Sequence, residues 1–196
     1  MKKFNRWLTK NKLALEKFLY PKVISEDMLK ETNYQLENGY DLQLEIAEEL
    51  DIESIMEIQK DCYGGKAPWG RLTVYNEMKN VYSFFLILHH YREGLAFIAL
   101  TIRKGHLHIT NIGTKRAFQR QGLATILIEA AANIAKALEI NLLTLEVRVS
   151  NLKAKNLYYK MGFKDRYIKK DYYRDKKEDA LEMAYQINKD AKEEND

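Results

Sequence analysis

A mixed α/β domain with a helical extension at its N-terminus is the fold class this sequence predicts, and three observations predict it. Short runs rich in β-branched and aromatic residues recur between glycine or charged turns, as strands do. Between two such runs lies an apolar stretch at helical spacing, Thr125 to Leu138, opened by Gln119-Arg120-Gln121-Gly122-Leu123-Ala124. Residues 1–24 carry seven Lys or Arg against one acid, Glu16, with Phe4, Trp7, Leu8, Leu15, Phe18 and Leu19 at roughly helical spacing.

In chain order, residues 1–40 read as the extension. Its basic amphipathic helix ends at Tyr20-Pro21. The apolar stripe needs cover, and the chain's own domain, an anionic membrane surface or ribosomal RNA would each supply it. Residues 25–40 read as a polar connection with a short helix, closing on Asn38-Gly39. Residues 41–188 form the domain proper. A strand at Leu42–Ile46 leads to a helix from about Ala47 to Asp61, a loop from Cys62 to Trp69, and a second helix to about Lys79. Tyr82–His90 and Leu95–Arg103 pair as a hairpin turning at Arg92-Glu93-Gly94. Lys104-Gly105 turns into a strand at Leu107–Thr114, followed by the Thr125–Leu138 helix and an apolar strand, Asn141–Val149. A helix over Asn151–Met161 is closed by Gly162, and two last strands lie near Phe163–Tyr172 and Ala180–Ile187. Residues 189–196 are an acidic tail expected to fray.

Composition narrows the classes. Apolar residues make up 46% of 196, ordinary for a globular protein. No run approaches the ~20 apolar residues of a membrane span, and Met1–Arg6 is not followed by the apolar core of a secretory signal. The single Cys62 leaves no intrachain disulfide and suits a reducing cytoplasm. A net charge of +4 is compatible with an anionic cosubstrate, and stable nucleic-acid binding is not expected from it.

The turn before the central helix carries the chemistry. A helix N-terminus presents unpaired N–H groups and the positive end of a dipole, which suits phosphate. Gly122 permits close backbone approach, Ala124 adds little bulk, and Arg120 adds charge. It is not a Walker A loop, because Gly65-Lys66 is followed by Ala67 where Ser or Thr is needed.

Gln119-x-x-Gly122-x-Ala124 resembles motif A of the Gcn5-related N-acetyltransferases (GNAT), where this turn holds the pyrophosphate of acetyl-CoA. Further segments resemble the RimI-like branch, which acetylates the N-terminal alanine of a small-subunit ribosomal protein. These are Ile109–Thr114, Leu145-Glu146-Val147-Arg148-Val149-Ser150-Asn151, Asn156–Phe163, Ala67-Pro68-Trp69, and Tyr172-Tyr173 with Glu178-Asp179-Ala180 and Met183. The resemblance covers about residues 41–188. It departs at Asp171 and Arg174, where the branch has Asn and Pro beside the acceptor.

The resemblance implies a mixed, mostly antiparallel twisted sheet flanked by helices. It implies acetyl-CoA held by Ile112, Gly113, Thr114, Arg120, Gln121, Gly122, Leu123, Ala124, Thr125 and Asn151. It makes Glu146 the base, through water, and Tyr158 the acid that protonates the leaving thiolate. Glu146 also reads as a structural carboxylate paired with Arg148, Tyr158 as a buried aromatic, and Asn151 as a helix N-cap. His89, His90, His106 and His108 read as solvated strand-end residues, and no metal is expected, since no acid or cysteine completes a ligand spacing. Tyr63, Tyr172 and Tyr173 are candidates for the peptide entrance. Lys169-Lys170, Arg174 and Lys176-Lys177 read as a solvated face. The expected acceptor is a protein N-terminal peptide, ribosomal by resemblance. The alternatives are a lysine, polyamine or other small amine, and, outside enzymes, an acyl-CoA-binding or ribosome-associated module without turnover.

Overall fold

The computed structural model describes residues 24–175 and 177–187. The expected basic helix of residues 1–24 and the acidic tail therefore lie almost wholly outside the described residues. What is described is one eight-stranded sheet with helices on both faces.

In chain order the strands are β1 (Asn33–Gln35), β2 (Asp41–Ile46), β3 (Ser83–His90), β4 (Glu93–Arg103), β5 (His106–Thr114), β6 (Leu142–Arg148), β7 (Lys164–Tyr173) and β8 (Glu178–Gln186). The helices are α1 (Ile52–Cys62), α2 (Arg71–Lys79), α3 (Leu123–Ala137) and α4 (Leu152–Lys160). The order across the sheet is β1-β2-β3-β4-β5-β6-β8-β7. Every adjacent pair is antiparallel except β5–β6, which α3 connects as a parallel crossover. The sheet is thus mixed and mostly antiparallel.

Two cores form because the middle strands are covered on both sides. Leu86, Leu88 and Ile98 face α3, meeting Leu127 and Ile134. Phe85, Ile87 and Phe97 face the other way, onto Ile55, Ile58 and Val74 of α1 and α2. This is why β3 reads as a continuous apolar run and not an alternating one. β6 keeps the alternation: Leu143, Leu145 and Val147 enter the α3–α4 core, so Thr144, Glu146 and Arg148 point to the opposite face. Among the described residues no helix covers that face at the β6–β8–β7 end, and β7 is mostly exposed.

Two expectations need correction. Residues 25–40 are more than a connection: β1 pairs with β2, and Leu29 and Leu36 join the core. The sheet therefore extends across residue 40. The short helix there is a single 3-10 turn, Glu26–Met28. The β3–β4 hairpin does not turn on Gly94 either. Tyr91 takes the left-handed conformation (φ 54°), and Gly94 lies within β4 opposite His89. A side chain at Gly94 would meet Ser54 Cβ at 2.9 Å, so glycine is needed for the approach of α1.

Candidate active site

The site is built around a place where the sheet parts. β5 and β6 are in register only at Leu107–Leu143, His108–Thr144 and Ile109–Leu145. Beyond these, β5 stays with β4 as far as Thr114 while β6 continues with β8, so the parallel pair opens into a V. The Lys115 amide bonds back to Leu95 O in β4. Strand alternation then turns the Ile112 and Thr114 amides toward the V. Cys62 stands against Gly113: a Cβ there would meet its Sγ at 3.2 Å and Phe97 Cε1 at 2.9 Å.

On the open face, Glu146 is the central charge. Its side chain is 6% exposed. His108 Nε2 lies 2.8 Å from Oε2, and Lys169 Nζ holds Oε1. Burial alone would raise its pKa, but the hydrogen bonds and charges of His108 and Lys169 bring it down to about 2. His108 is 2% exposed, and its Nδ1 lies 2.7 Å from Thr144 Oγ1. Lys169 also bonds Glu182 at 2.7 Å, and Arg166 bonds Glu182 at 2.9 Å. Arg148 does not pair with Glu146. It bonds Asp175 at 2.7 Å and Glu178 at 3.0 Å, and its guanidinium lies 4.0 Å from the centre of the Tyr173 ring.

From the other face, Tyr158 of α4 rises out of the core with Phe163, 5% exposed. Its hydroxyl has no hydrogen-bond partner among the described residues. No buried side-chain oxygen or nitrogen among them lacks one, so this hydroxyl reaches open space. Tyr63 and Tyr173 converge on it. Burial first, then these two phenols, raise the Tyr158 pKa well above its ordinary value. Burial likewise pushes Tyr63 up to about 12. Tyr63 donates to Asn111 Oδ1 (3.3 Å), and Tyr173 donates to the Glu146 carbonyl (3.4 Å). Two of the phenols are thus anchored to the diverging strands, Tyr63 to β5 and Tyr173 to β6. Gly162 closes α4 in the left-handed conformation, with the Phe163 amide bonded to Tyr158 O, which sets where Tyr158 leaves the helix.

At the open end of β5 the chain turns into α3. Arg120 (φ 65°) and Gly122 (φ 90°) both take positive φ, and a Cβ at Gly122 would meet nothing within 4 Å. The amides from Arg120 to Thr125 find no backbone acceptor among the described residues. The turn is braced by its glutamines: Gln119 Nε2 donates to Thr114 O (3.2 Å), Gln121 Nε2 donates to Ala117 O (2.9 Å), and Asn38 Nδ2 donates to Gln121 Oε1 (3.0 Å). Unpaired amides and the positive end of the helix dipole suit this turn to an anion. Leu123 turns its side chain into the core, so its amide alone faces the turn. Ala124 and Thr125 occupy the same first turn. Asn151 caps α4, its Oδ1 accepting from the Ala154 amide at 3.1 Å.

Sequence reasoning missed three of the groups on the open face. His108 is not solvated but buried against Glu146, and His89 is likewise buried, between Glu45 and Asp51. Lys169 belongs to an ion-pair network and not to a solvated face. Glu182 was not singled out at all. The available signal was the period of two: Thr144, Glu146 and Arg148 in β6, with His108 and Glu182 in its neighbours, interrupt apolar strands on one face. Among the described residues no cluster of three or more His, Cys, Asp or Glu is placed to hold a metal ion. No helix among them is long and apolar enough to cross a membrane.

A parallel pair is thus splayed beside a helix N-terminus with unpaired amides, with a carboxylate on one side and a phenol on the other. Residues 52–163 match the acetyltransferase (GNAT) family. The chain is 34% identical over 139 residues to a Bacillus subtilis (strain 168) protein that is provisionally named a ribosomal protein bS18-alanine N-acetyltransferase; the match covers 70% of this chain and 91% of that protein. It is 31% identical over 123 residues to the ribosomal protein bS18-alanine N-acetyltransferase of Escherichia coli (strain K12), covering 62% of this chain and 82% of that one. The crystal structure of the Escherichia coli ribosomal-protein-S18-alanine N-acetyltransferase superposes with a TM-score of 0.69 at 25% identity, over 79% of this chain and 99% of that one. This chain belongs to the GNAT acetyltransferase family and is similar to its RimI-type members.

Proposed function

We propose that this acetyltransferase moves the acetyl group of acetyl-CoA to the N-terminal α-amine of a protein, with an alanine-starting ribosomal protein as the favoured acceptor and the cytoplasm as its place of work. Two relatives carry names for that reaction, and the site's charge pattern agrees with it. One observation carries the reading: Glu146 and Tyr158 come from opposite faces of the sheet beside the V between β5 and β6, and Tyr173 links them, donating to the Glu146 carbonyl and helping to raise the Tyr158 pKa. A thioester lying along β5, with its pyrophosphate on the Arg120–Thr125 amides, would bring its sulfur toward Tyr158. An amine would reach the same carbonyl from the side of Glu146.

The chemistry needs a neutral amine, a polarised carbonyl and a proton for the thiolate. An α-ammonium has a pKa near 8, so about a tenth is neutral at pH 7. Its excess proton leaves by water toward the Glu146–His108 pair. The amine nitrogen bonds to the acetyl carbon, the carbon–sulfur bond breaks, Tyr158 gives its proton to the departing sulfur, and the proton shed by the acylated nitrogen returns through water to the Tyr158 phenolate. Its raised pKa keeps the phenol protonated until the sulfur departs. The Ile112 amide is placed to donate to the carbonyl oxygen as charge develops there. Asn151, through its uncommitted amide nitrogen, is a further contact for the cosubstrate.

The test is a comparison of kcat/KM between an alanine-starting basic peptide, free lysine and spermidine, with labelled acetyl-CoA. The reading expects the peptide to lead by at least tenfold. A lead for lysine or spermidine would make the enzyme a small-amine acetyltransferase.

A further inference from the structure

The Glu146 carboxylate has a resident cation, and its place suggests what the acceptor must do to bind. Lys169 Nζ bonds Glu146 and Glu182 together. Tyr167 and Tyr172 flank it, with ring centres at 5.5 and 5.6 Å. Two carboxylates with aromatic rings beside them make a receptor for an ammonium group. Lys169 reaches it from β7, the exposed edge strand, on a flexible stem. His108 occupies the other oxygen of Glu146 from the buried side, so among the described residues an arriving amine meets the oxygen that Lys169 holds, with Tyr172 also bonded to the carboxylate.

We propose that Lys169 is a stand-in for the acceptor: its ammonium occupies the position that the acceptor's α-ammonium takes, and acceptor binding displaces it. The proposal rests on the α-amine reading above and adds a specificity-determining residue to it. Displacement changes the site in two ways. It frees Glu146 Oε1 for a water or amine, and it removes the ammonium whose hydrogen bond and charge suppress the basicity of Glu146. Lys169 therefore suppresses the base when no acceptor is present. It also sets a threshold that a neutral or poorly placed amine does not cross. Arg166 remains on Glu182 throughout, so Glu182 is not left unpaired when Lys169 leaves.

The experiment measures direct binding, by calorimetry, of an alanine-starting peptide and of the same peptide with its N-terminus already acetylated. Lys169→Met keeps the stem and removes the charge. It should bind the free-amine peptide about tenfold more tightly than wild type, with the acetylated peptide unchanged. Lys169→Arg, which keeps a competing cation, should stay within about threefold of wild type. In turnover the Lys169→Met gain should fall in KM and not in kcat. If folded Lys169→Met binds the free-amine peptide no more tightly than wild type, the stand-in role is wrong. Should Lys169→Met not fold, Glu182→Gln serves instead. Loss of one receptor carboxylate should weaken the free-amine peptide about tenfold and leave the acetylated one alone, and no weakening overturns the proposal. The two readings fail separately. Turnover without the binding shift defeats the stand-in role, whereas the shift without turnover on any N-terminus defeats the α-amine reading.

Discussion

His108 and Glu146 are joined across the parallel strands β5 and β6 just below the point where those strands part, imidazole Nε2 to carboxylate Oε2 at 2.8 Å. The imidazole's other nitrogen is held by Thr144 Oγ1 at 2.7 Å, so the ring is fixed at both ends. If the Thr144 hydroxyl donates to Nδ1, the proton on the ring lies on Nε2 and points at Glu146. His108 then orients the carboxylate as a positioning residue.

His108→Gln should lower kcat about 10–100-fold, the worth of one hydrogen bond to a charged group. KM for acetyl-CoA should stay within about threefold, because His108 lies on the acceptor side of the sheet. Steady-state kinetics with each substrate varied in turn measures both. A loss confined to acetyl-CoA binding would place His108 elsewhere in the mechanism.

Tyr158→Phe should lower kcat about 10²–10⁴-fold, the usual contribution of a positioned acid. Burial and the neighbouring phenols hold the Tyr158 pKa high, so the wild-type rate should show no alkaline loss from this group up to about pH 10. A pH–rate profile from 6 to 10 decides. A wild-type alkaline limb at or below about 10 that vanishes in the Phe variant would contradict a raised Tyr158 pKa.

Gly122→Glu should abolish stabilisation by acetyl-CoA while leaving the fold intact. A Cβ at this position meets no protein atom within 4 Å, though it needs an unfavourable φ of 90°, and the carboxylate adds negative charge beside the unpaired amides. At a ligand concentration 100-fold above Kd, wild type gains about 2.7 kcal/mol. Thermal melts with and without acetyl-CoA give the two shifts. Equal shifts in both proteins would move the pyrophosphate off this turn.

His89 gives a pH dependence remote from the chemistry. Its Nδ1 lies 3.1 Å from Glu45 and its Nε2 3.2 Å from Asp51. The Asp51 hydrogen bond, above all, raises the His89 pKa, so its stabilisation is full below about 6.5 and fades as pH rises through the folded value. Burial works to raise the Asp51 pKa, but the His89 hydrogen bond, the Glu48 backbone hydrogen bond and the His89 charge together outweigh it and the net shift is down, so that contribution is present above about 4 and is lost as acid protonates the folded carboxylate. Asp51→Asn should therefore cost more at pH 5.5 than at pH 9. The difference should be about 1 kcal/mol after solvent screening, or about 2–4 °C in Tm. Equal losses at both pH values would contradict a charged pair.

Much of this was readable in the residues. Runs rich in β-branched and aromatic residues located β3 to β6, and helical spacing located α3, to within a few residues. Gly122 and Gly162, each with positive φ, marked the start of α3 and the end of α4. What was not readable depended on registers between distant strands. The three-residue pairing of β5 with β6 decides that His108 meets Glu146, and β7–β8 pairing decides that Lys169 reaches across to the same carboxylate. Lys169 sits in a lysine-rich stretch, and local composition made it indistinguishable from solvated neighbours such as Lys170, whose partner is Asp179 at the surface. The β3–β4 turn was misplaced because Gly94 serves helix packing, while Tyr91 takes the positive φ.

The central claim is that the acetyl group goes to an α-nitrogen. A single peptide beginning with alanine and carrying an internal lysine, incubated with enzyme and acetyl-CoA and sequenced by tandem mass spectrometry, tests it within one molecule. The account predicts acetylation on the alanine nitrogen, with lysine modified at least tenfold less, and loss of both products in Glu146→Gln and Tyr158→Phe. Acetyl groups found chiefly on the lysine side chain, or undiminished in those two variants, would contradict it.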